Sequence, residues 1–279
     1  MEKNFSVRII ICTPFFYLLC NDKPKFSIIK NNFPPLICLS LLLVFIPNIF
    51  MAAGIKYANG AAASFVEALE PIITGILAGI FLKERIKPNY CLGLLFAIAG
   101  SYSFASQGFS INPFAHSSLI GIGLVFVSAC SFSGSTIMGK KLLEQYLPTE
   151  ILFYTFFLSS LIMIPVSLSL FIGQSYHILH DYSVIYAILG LSFISSVGGY
   201  LLYFIALSKL KAQVLSCYLF AIPIITTIYS YVFLDTRPQP FVYTSGVLIL
   251  TGLIIFEFFD FNKIYNFYDF IRHKKKEGF

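Results

Sequence analysis

AAASFVEALEPIITGILAGIFLKERIKP, residues 61–88, reads as an apolar helix with two acids, a proline in mid-span and a charged stop. A hydrocarbon core of about 30 Å takes roughly 20 apolar residues of helix. At ~1.5 Å per residue from Ala61, Glu70 lies about 14 Å in, near the midplane. A carboxylate at that depth is costly, and intramembrane acids mark substrate or proton paths by default.

The surrounding chain is of the same kind. Hydrophobic residues make up 57% of the 279 positions and charged residues 11%, with a mean hydropathy of +0.82. A soluble domain carries about 25% charged residues, so this chain cannot cover a water-facing surface. Long apolar runs, rather than short alternating ones, point to an all-α polytopic membrane protein and exclude a β-barrel. The six cysteines are scattered without a CxxC pair, which predicts buried free thiols and neither a disulfide framework nor a metal site.

Residues 1–20 open with a basic stretch and a short apolar run, the layout of a signal peptide. Leu18 and Leu19 stand where a cleavage site needs small side chains, so the segment reads as a short membrane helix. Further apolar runs lie near 35–53, 61–83, 89–106, 117–138, 150–172, 183–208, 212–234 and 241–259, giving nine in all. In alternate loops, one side collects 15 of the 19 Lys and Arg residues, among them Lys83, Arg85, Lys87, Lys140, Lys141, Lys209 and Lys211. The other side holds Lys3, Arg8, Lys56 and Arg237. The bias assigns the first side to the cytoplasm, with the C-terminus inside and a basic N-terminus outside. The net charge of +6 therefore reflects topology and contact with the lipid bilayer, and no nucleic-acid partner is implied.

Shifting the sequence by 152 residues aligns its two halves without a gap. Pro71-Ile72-Ile73-Thr74 falls on Pro223-Ile224-Ile225-Thr226, Phe81-Leu82 on Phe233-Leu234, Arg85 on Arg237 and Pro88 on Pro240. Ser64 falls on Ser216, Gly100 on Gly252 and Phe104 on Phe256. So many matches at one offset mark a duplication. Arg85 lies on the basic side and Arg237 on the other, so the two copies run inverted through the membrane. Inverted repeats with a site near the midplane are the architecture of many secondary transporters.

The order of these motifs resembles the EamA-type members of the drug/metabolite transporter superfamily. The resemblance rests on Ala61-Ala62-Ala63-Ser64, Glu70-Pro71, Leu82-Lys83-Glu84, and Gly93 with Gly100. In the second half it rests on Pro223, Leu234-Asp235, Gly246 and Gly252. It implies two inverted repeats of a ten-helix architecture, here apparently nine, with the first helix missing and Arg8 near the start of the second. The repeats span 1–106 and 117–259, followed by a basic aromatic tail, 260–279. Lys83 stands where the family usually has Gly, and Thr236 falls at the position of Glu84.

Glu67 and Glu70 are three residues apart, about 60° around a helix, so both can face one cavity. Pro71 has no N–H for the carbonyl of Glu67, which is left free for a ligand or water. Pro223 does the same for Leu219, but Leu219 and Ile222 replace the two acids. The expected cavity is acidic from one half only, which favours a cationic or zwitterionic substrate or a proton. Asn48, Tyr200, Tyr203, Tyr218, Ser131 and Ser133 lie on helices that line the cavity if the resemblance holds. Asn48 and Tyr218 are the first candidates among them to orient a ligand. Gly75 and Gly79 form a GxxxG, and Gly198-Gly199 offers a second close approach; small residues of this kind pack helices within a chain or between the copies of a homodimer. Glu84, between Lys83 and Arg85, reads as a helix-end charge cluster. His177, His180 and Asp181 read as a solvated loop.

No HExxH, GxSxG or P-loop pattern is present, so neither an enzyme nor an ATP-driven pump is supported, and no cofactor is called for. The expected function is secondary transport of a small organic metabolite across the inner cell membrane by alternating access, with a proton as the coupling ion. Amino acids, amines and nucleosides are the expected classes. A non-transporting membrane protein acting as an interaction partner stands as the alternative.

Overall fold

A computed structural model describes residues 2–20, 26–171, 186, 189–235 and 237–258. The tail 260–279, Thr236 and the His177–Asp181 loop lie outside the described residues. The first half comprises α1 (Glu2–Leu19), α2 (Phe26–Ser40), α3 (Ile46–Tyr57), α4 (Gly60–Glu67), α5 (Glu70–Phe81) and α6 (Pro88–Ala105). The second comprises α7 (Leu119–Leu142), α8 (Pro148–Phe171), α9 (Tyr200–Lys209), α10 (Ala212–Cys217), α11 (Ile222–Phe233) and α12 (Pro240–Phe258). Among the described residues these helices group into nine straight or broken helical segments. The segments 32–57, 60–81, 119–142 and 212–233 are each long and apolar enough to cross a membrane.

The halves repeat each other's irregularities as well as their helices. Pro47 removes an amide donor from the second pass, and the chain widens there into a π turn, Leu41–Phe45, before α3. On α7, Ser131 Oγ donates to Leu42 O (2.9 Å) and Ser128 Oγ to Pro47 O (3.0 Å), so side chains satisfy carbonyls that no water reaches. A second π turn, Leu191–Gly199, precedes α9 at the position that the 152-residue shift requires. Both broken helices end alike. Lys83 (φ 54°) and Asp235 (φ 50°) both take the left-handed conformation just past the C-caps Leu82 and Leu234.

Equivalent helices meet antiparallel, as inversion demands. On α1 and α8, Thr13 Oγ1 lies 2.7 Å from Ser160 Oγ and the Phe16 and Phe156 rings pack at 4.8 Å. On α6 and α12, Asn89 Nδ2 donates to Phe256 O (2.9 Å) at one end, while the Phe104 and Phe241 rings meet at the other. Exchanging the halves turns the Asn89–Phe256 pair into Phe104–Phe241, so these two contacts are images of each other. Between them the backbones nearly touch: a Cβ on Gly93 would stand 2.6 Å from Gly252 O, and one on Gly100 would stand 2.9 Å from Ser245 O. That pair too is related by the exchange. Asn48 and its counterpart Tyr200 hydrogen-bond each other, which puts them on the axis.

Two expectations about small side chains change. The GxxxG face is covered inside the chain, where Tyr90 lies against Gly75 and Ile86 against Gly79. Among the described residues Gly198 and Gly199 meet only carbonyls of their own π turn and make no close approach to another helix. All six thiols are free, but only Cys12 and Cys217 are buried, and Cys91 is exposed.

Candidate functional site: a cavity at the helix breaks

The first broken helix stops at Ala68 and Leu69, where ψ collapses to −9° and −10°. The amides of Ile72 and Ile73 both return to Leu69 O (3.0 and 3.2 Å), so the helix restarts around Pro71 rather than continuing through it. In the second half a 3-10 turn, Tyr218–Ala221, makes the same step before Pro223. The two breaks face one cavity of about 470 Å³. Glu67, Glu70 and Pro71 form part of its wall from the first half, and Leu219, Ile222 and Pro223 from the second.

Glu70 is held by its backbone and left open at its carboxylate. Ser133 Oγ on α7 donates to the Glu70 carbonyl (3.3 Å). The side-chain Oε1 is shielded from solvent and has no hydrogen-bond partner among the described residues. Ser101 Oγ, in the same wall, is also buried without a partner. A buried acceptor without a donor costs about 1–3 kcal/mol, more if charged, and a cationic ligand or a proton would relieve it. The Phe104, Phe132 and Phe220 rings supply apolar faces around these two polar atoms.

The cavity is open toward one end of the helices and closed toward the other. Ser64 and Glu67 are exposed, and the wall extends to Phe104 and Ala105 at the end of α6, away from the basic loops. Toward the basic face, Ala78 of the first half packs with Ile137, Leu207, Ala212 and Leu215 of the second in a closed apolar cluster. Above that cluster, Tyr203 Oη and Thr136 Oγ1 lie 2.7 Å apart.

The structure thus brings Glu67, Glu70, Pro71 and Pro223 to one wall. It places the remaining candidates elsewhere. Asn48 donates to Val44 O (2.7 Å) and pairs with Tyr200 on the axis, and Tyr218 lies outside the cavity lining, half-exposed. Ser131 and Ser133 turn to backbone carbonyls, and the face of α7 that reaches the cavity is Ser128, Ala129 and Phe132. Sequence reasoning passed over Ser101, Phe104 and Thr226. The signal for the first two was the 3–4 spacing of Ala97, Ser101, Phe104 and Ala105 on α6.

An all-helical membrane protein of two inverted halves, with a cavity where both broken helices meet, is built as a transporter. The chain belongs to the EamA-like transporter family, which it matches over residues 4–105 and 119–258. An uncharacterized transporter of Archaeoglobus fulgidus is 28% identical over 226 residues, 81% of this chain and 78% of that one. The uncharacterized transporter YyaM of Bacillus subtilis is 26% identical, covering 85% and 77%. The riboflavin transporter ImpX of Fusobacterium nucleatum is 24% identical over 203 residues, covering 72% and 67%. A solved protein crystal structure superposes with a TM-score of 0.74 over 91% of this chain and 84% of its own, at 16% identity, and so shares the fold.

Proposed function

We propose that this transporter carries a small organic metabolite bearing an amine or other cationic group, by alternating access of the cavity between its two halves. Glu70 is the anionic contact, and it takes a proton when the substrate is absent. What carries this reading is the Glu70 Oε1 atom, buried in the cavity wall without a partner among the described residues. The equivalent position in the other half is Ile222, so the repeated scaffold does not call for an acid there, which favours transport over a purely structural partner role. Driving force comes from an ion gradient, with the proton as coupling ion. The basic face lies in the cytoplasm in this reading, which the excess of Lys and Arg in those loops supports.

The Phe104, Phe132 and Phe220 rings suit a planar or apolar substrate body beside the charged group. Together with a relative named for riboflavin transport, they bring heterocycles with a polar side chain into the substrate class alongside amino acids, amines and nucleosides. The test is uptake into proteoliposomes by wild type and Glu70→Gln at equal protein incorporation. The expected result is uptake of at least one such class by wild type and loss of it in the variant. Equal uptake by both would remove Glu70 from the mechanism.

A further inference from the structure

We propose that Glu84 is a latch that holds the basic face closed, by capping the broken helix of the opposite half. Its Oε1 accepts from the Ala212 amide (2.9 Å) and its Oε2 from the Gln213 amide (3.3 Å), the first two residues of α10. Those amides open the pass 212–233, and like the first turn of any helix they have no partner within it. A carboxylate is the strongest acceptor they can meet, through both the charge-assisted bonds and the helix dipole.

The equivalent end of the first half is capped differently. There Asn59 occupies the N-cap, and its own Oδ1 accepts from Ala62 N (2.7 Å). The residue that corresponds to Asn59 is Lys211, which cannot accept, and α10 accordingly has no local side-chain cap. The residue that corresponds to Glu84 is Thr236, which carries no charge. The exchange is reciprocal. Where one half caps itself, the other depends on a carboxylate from across the interface.

The corner that Glu84 grips is already fixed within its own half. Lys140 Nζ donates to Leu207 O (2.6 Å) and Leu210 O (2.7 Å), closing the end of α9 beside the start of α10. Glu84 therefore adds a tie between the halves, seated on the apolar cluster of Ala78, Ile137, Leu207, Ala212 and Leu215. Opening the cavity to the basic face separates Ala78 from this cluster and breaks both Glu84 bonds. The end that is open in this structure is the end that carries its own cap.

Cys217, the last residue of α10, is 3% exposed and lies against Tyr90 of the first half, so its thiol reports that separation. Labelling at Cys217 by a membrane-impermeant maleimide, in nanodiscs with both faces accessible, is followed by peptide mass spectrometry. Glu84→Ala alone could weaken the fold, so the deciding variant is Glu84→Ala with Lys211→Asn, which gives α10 the local cap of α4. The expected result is a thermal midpoint like that of wild type with Cys217 labelling about tenfold faster, as loss of a charge-assisted tie implies. Lys211→Asn alone labels as wild type does. Wild-type labelling in the double variant would reduce Glu84 to an ordinary helix cap and overturn the latch. The latch rests on the alternating-access reading, but the two fail separately, because labelling needs no substrate and failure of that reading shows as absent uptake by wild type.

Discussion

At the break of the first half the chain places Glu67 and Glu70 against the cavity, with the Tyr90 hydroxyl donating to Pro71 O (2.6 Å) behind them. At the break of the second half it places Leu219 and Ile222, and Pro223 O is served by Thr226 and Thr227 (3.0 and 2.8 Å) from its own helix. Val242 stands where Tyr90 would be, Thr227 where Gly75 would be, and a second cavity of about 510 Å³ lies between α11 and α12. One scaffold has been kept and its two copies have been given different work. The first half supplies the charge and a tightly packed support behind it. The second supplies apolar wall and a looser back.

The largest effect should come from exchanging the residues at the break. Glu70→Gln is expected to lower transport about 10- to 100-fold, the worth of a buried charged hydrogen bond. Ile222→Gln, at the equivalent position, should leave initial rates in proteoliposomes within a factor of about three. Equal losses in the two variants would erase the distinction between the halves.

Packing on the axis should respond symmetrically, in contrast to the chemistry. Gly100→Val and Gly252→Val, at equivalent positions, each drive a side chain into the other helix's backbone and should each cost about 1–3 kcal/mol or more. Gly246→Val, with nothing within 4 Å of its Cβ position, should stay within about 0.5 kcal/mol of wild type in thermal unfolding.

Next in size is the support behind the breaks. Tyr90→Phe leaves Pro71 O without its donor and should cost about 1 kcal/mol. The complementary graft, Val242→Tyr, should be tolerated without Thr227→Gly, because both residues line the open cavity behind the second break. A Val242→Tyr variant that regains stability only with Thr227→Gly would show that the second break is packed as tightly as the first.

The smallest effects belong to the left-handed caps. Lys83→Gly and Asp235→Gly each relieve a positive φ on a residue with a Cβ, worth about 1 kcal/mol or less. Both should raise the thermal midpoint slightly, and by similar amounts.

The fold was legible in the sequence because it rests on features that a one-dimensional pattern carries. Apolar run length sets the passes, and the 152-residue offset carries the duplication down to the paired caps at Lys83 and Asp235. The placement of Glu67, Glu70, Pro71 and Pro223 was legible for the same reason, since position along a helix gives depth. Rotation about a helix was harder to read. On α7, with serines scattered around the helix, composition does not say that Ser128, Ser131 and Ser133 all turn to carbonyls while Ser128, with Phe132, is the one of the three that lines the cavity. Asn48 and Tyr200 were read as separate wall residues, although their 152-residue separation marks them as a pair on the axis. Glu84 was read as a helix-end charge cluster because its partners are backbone amides 128 and 129 residues away. Backbone amides leave no mark on a sequence.

The most direct test is thermal unfolding of purified wild type, Glu70→Gln and Ile222→Gln against amino acids, nucleosides, riboflavin and primary amines. A ligand at 100 times its Kd stabilises the state that binds it by about 2.7 kcal/mol. The prediction is that a compound with a cationic group raises the midpoint of wild type and Ile222→Gln and leaves Glu70→Gln unmoved. Equal stabilisation of all three by that compound would contradict an acid-centred site in the first half.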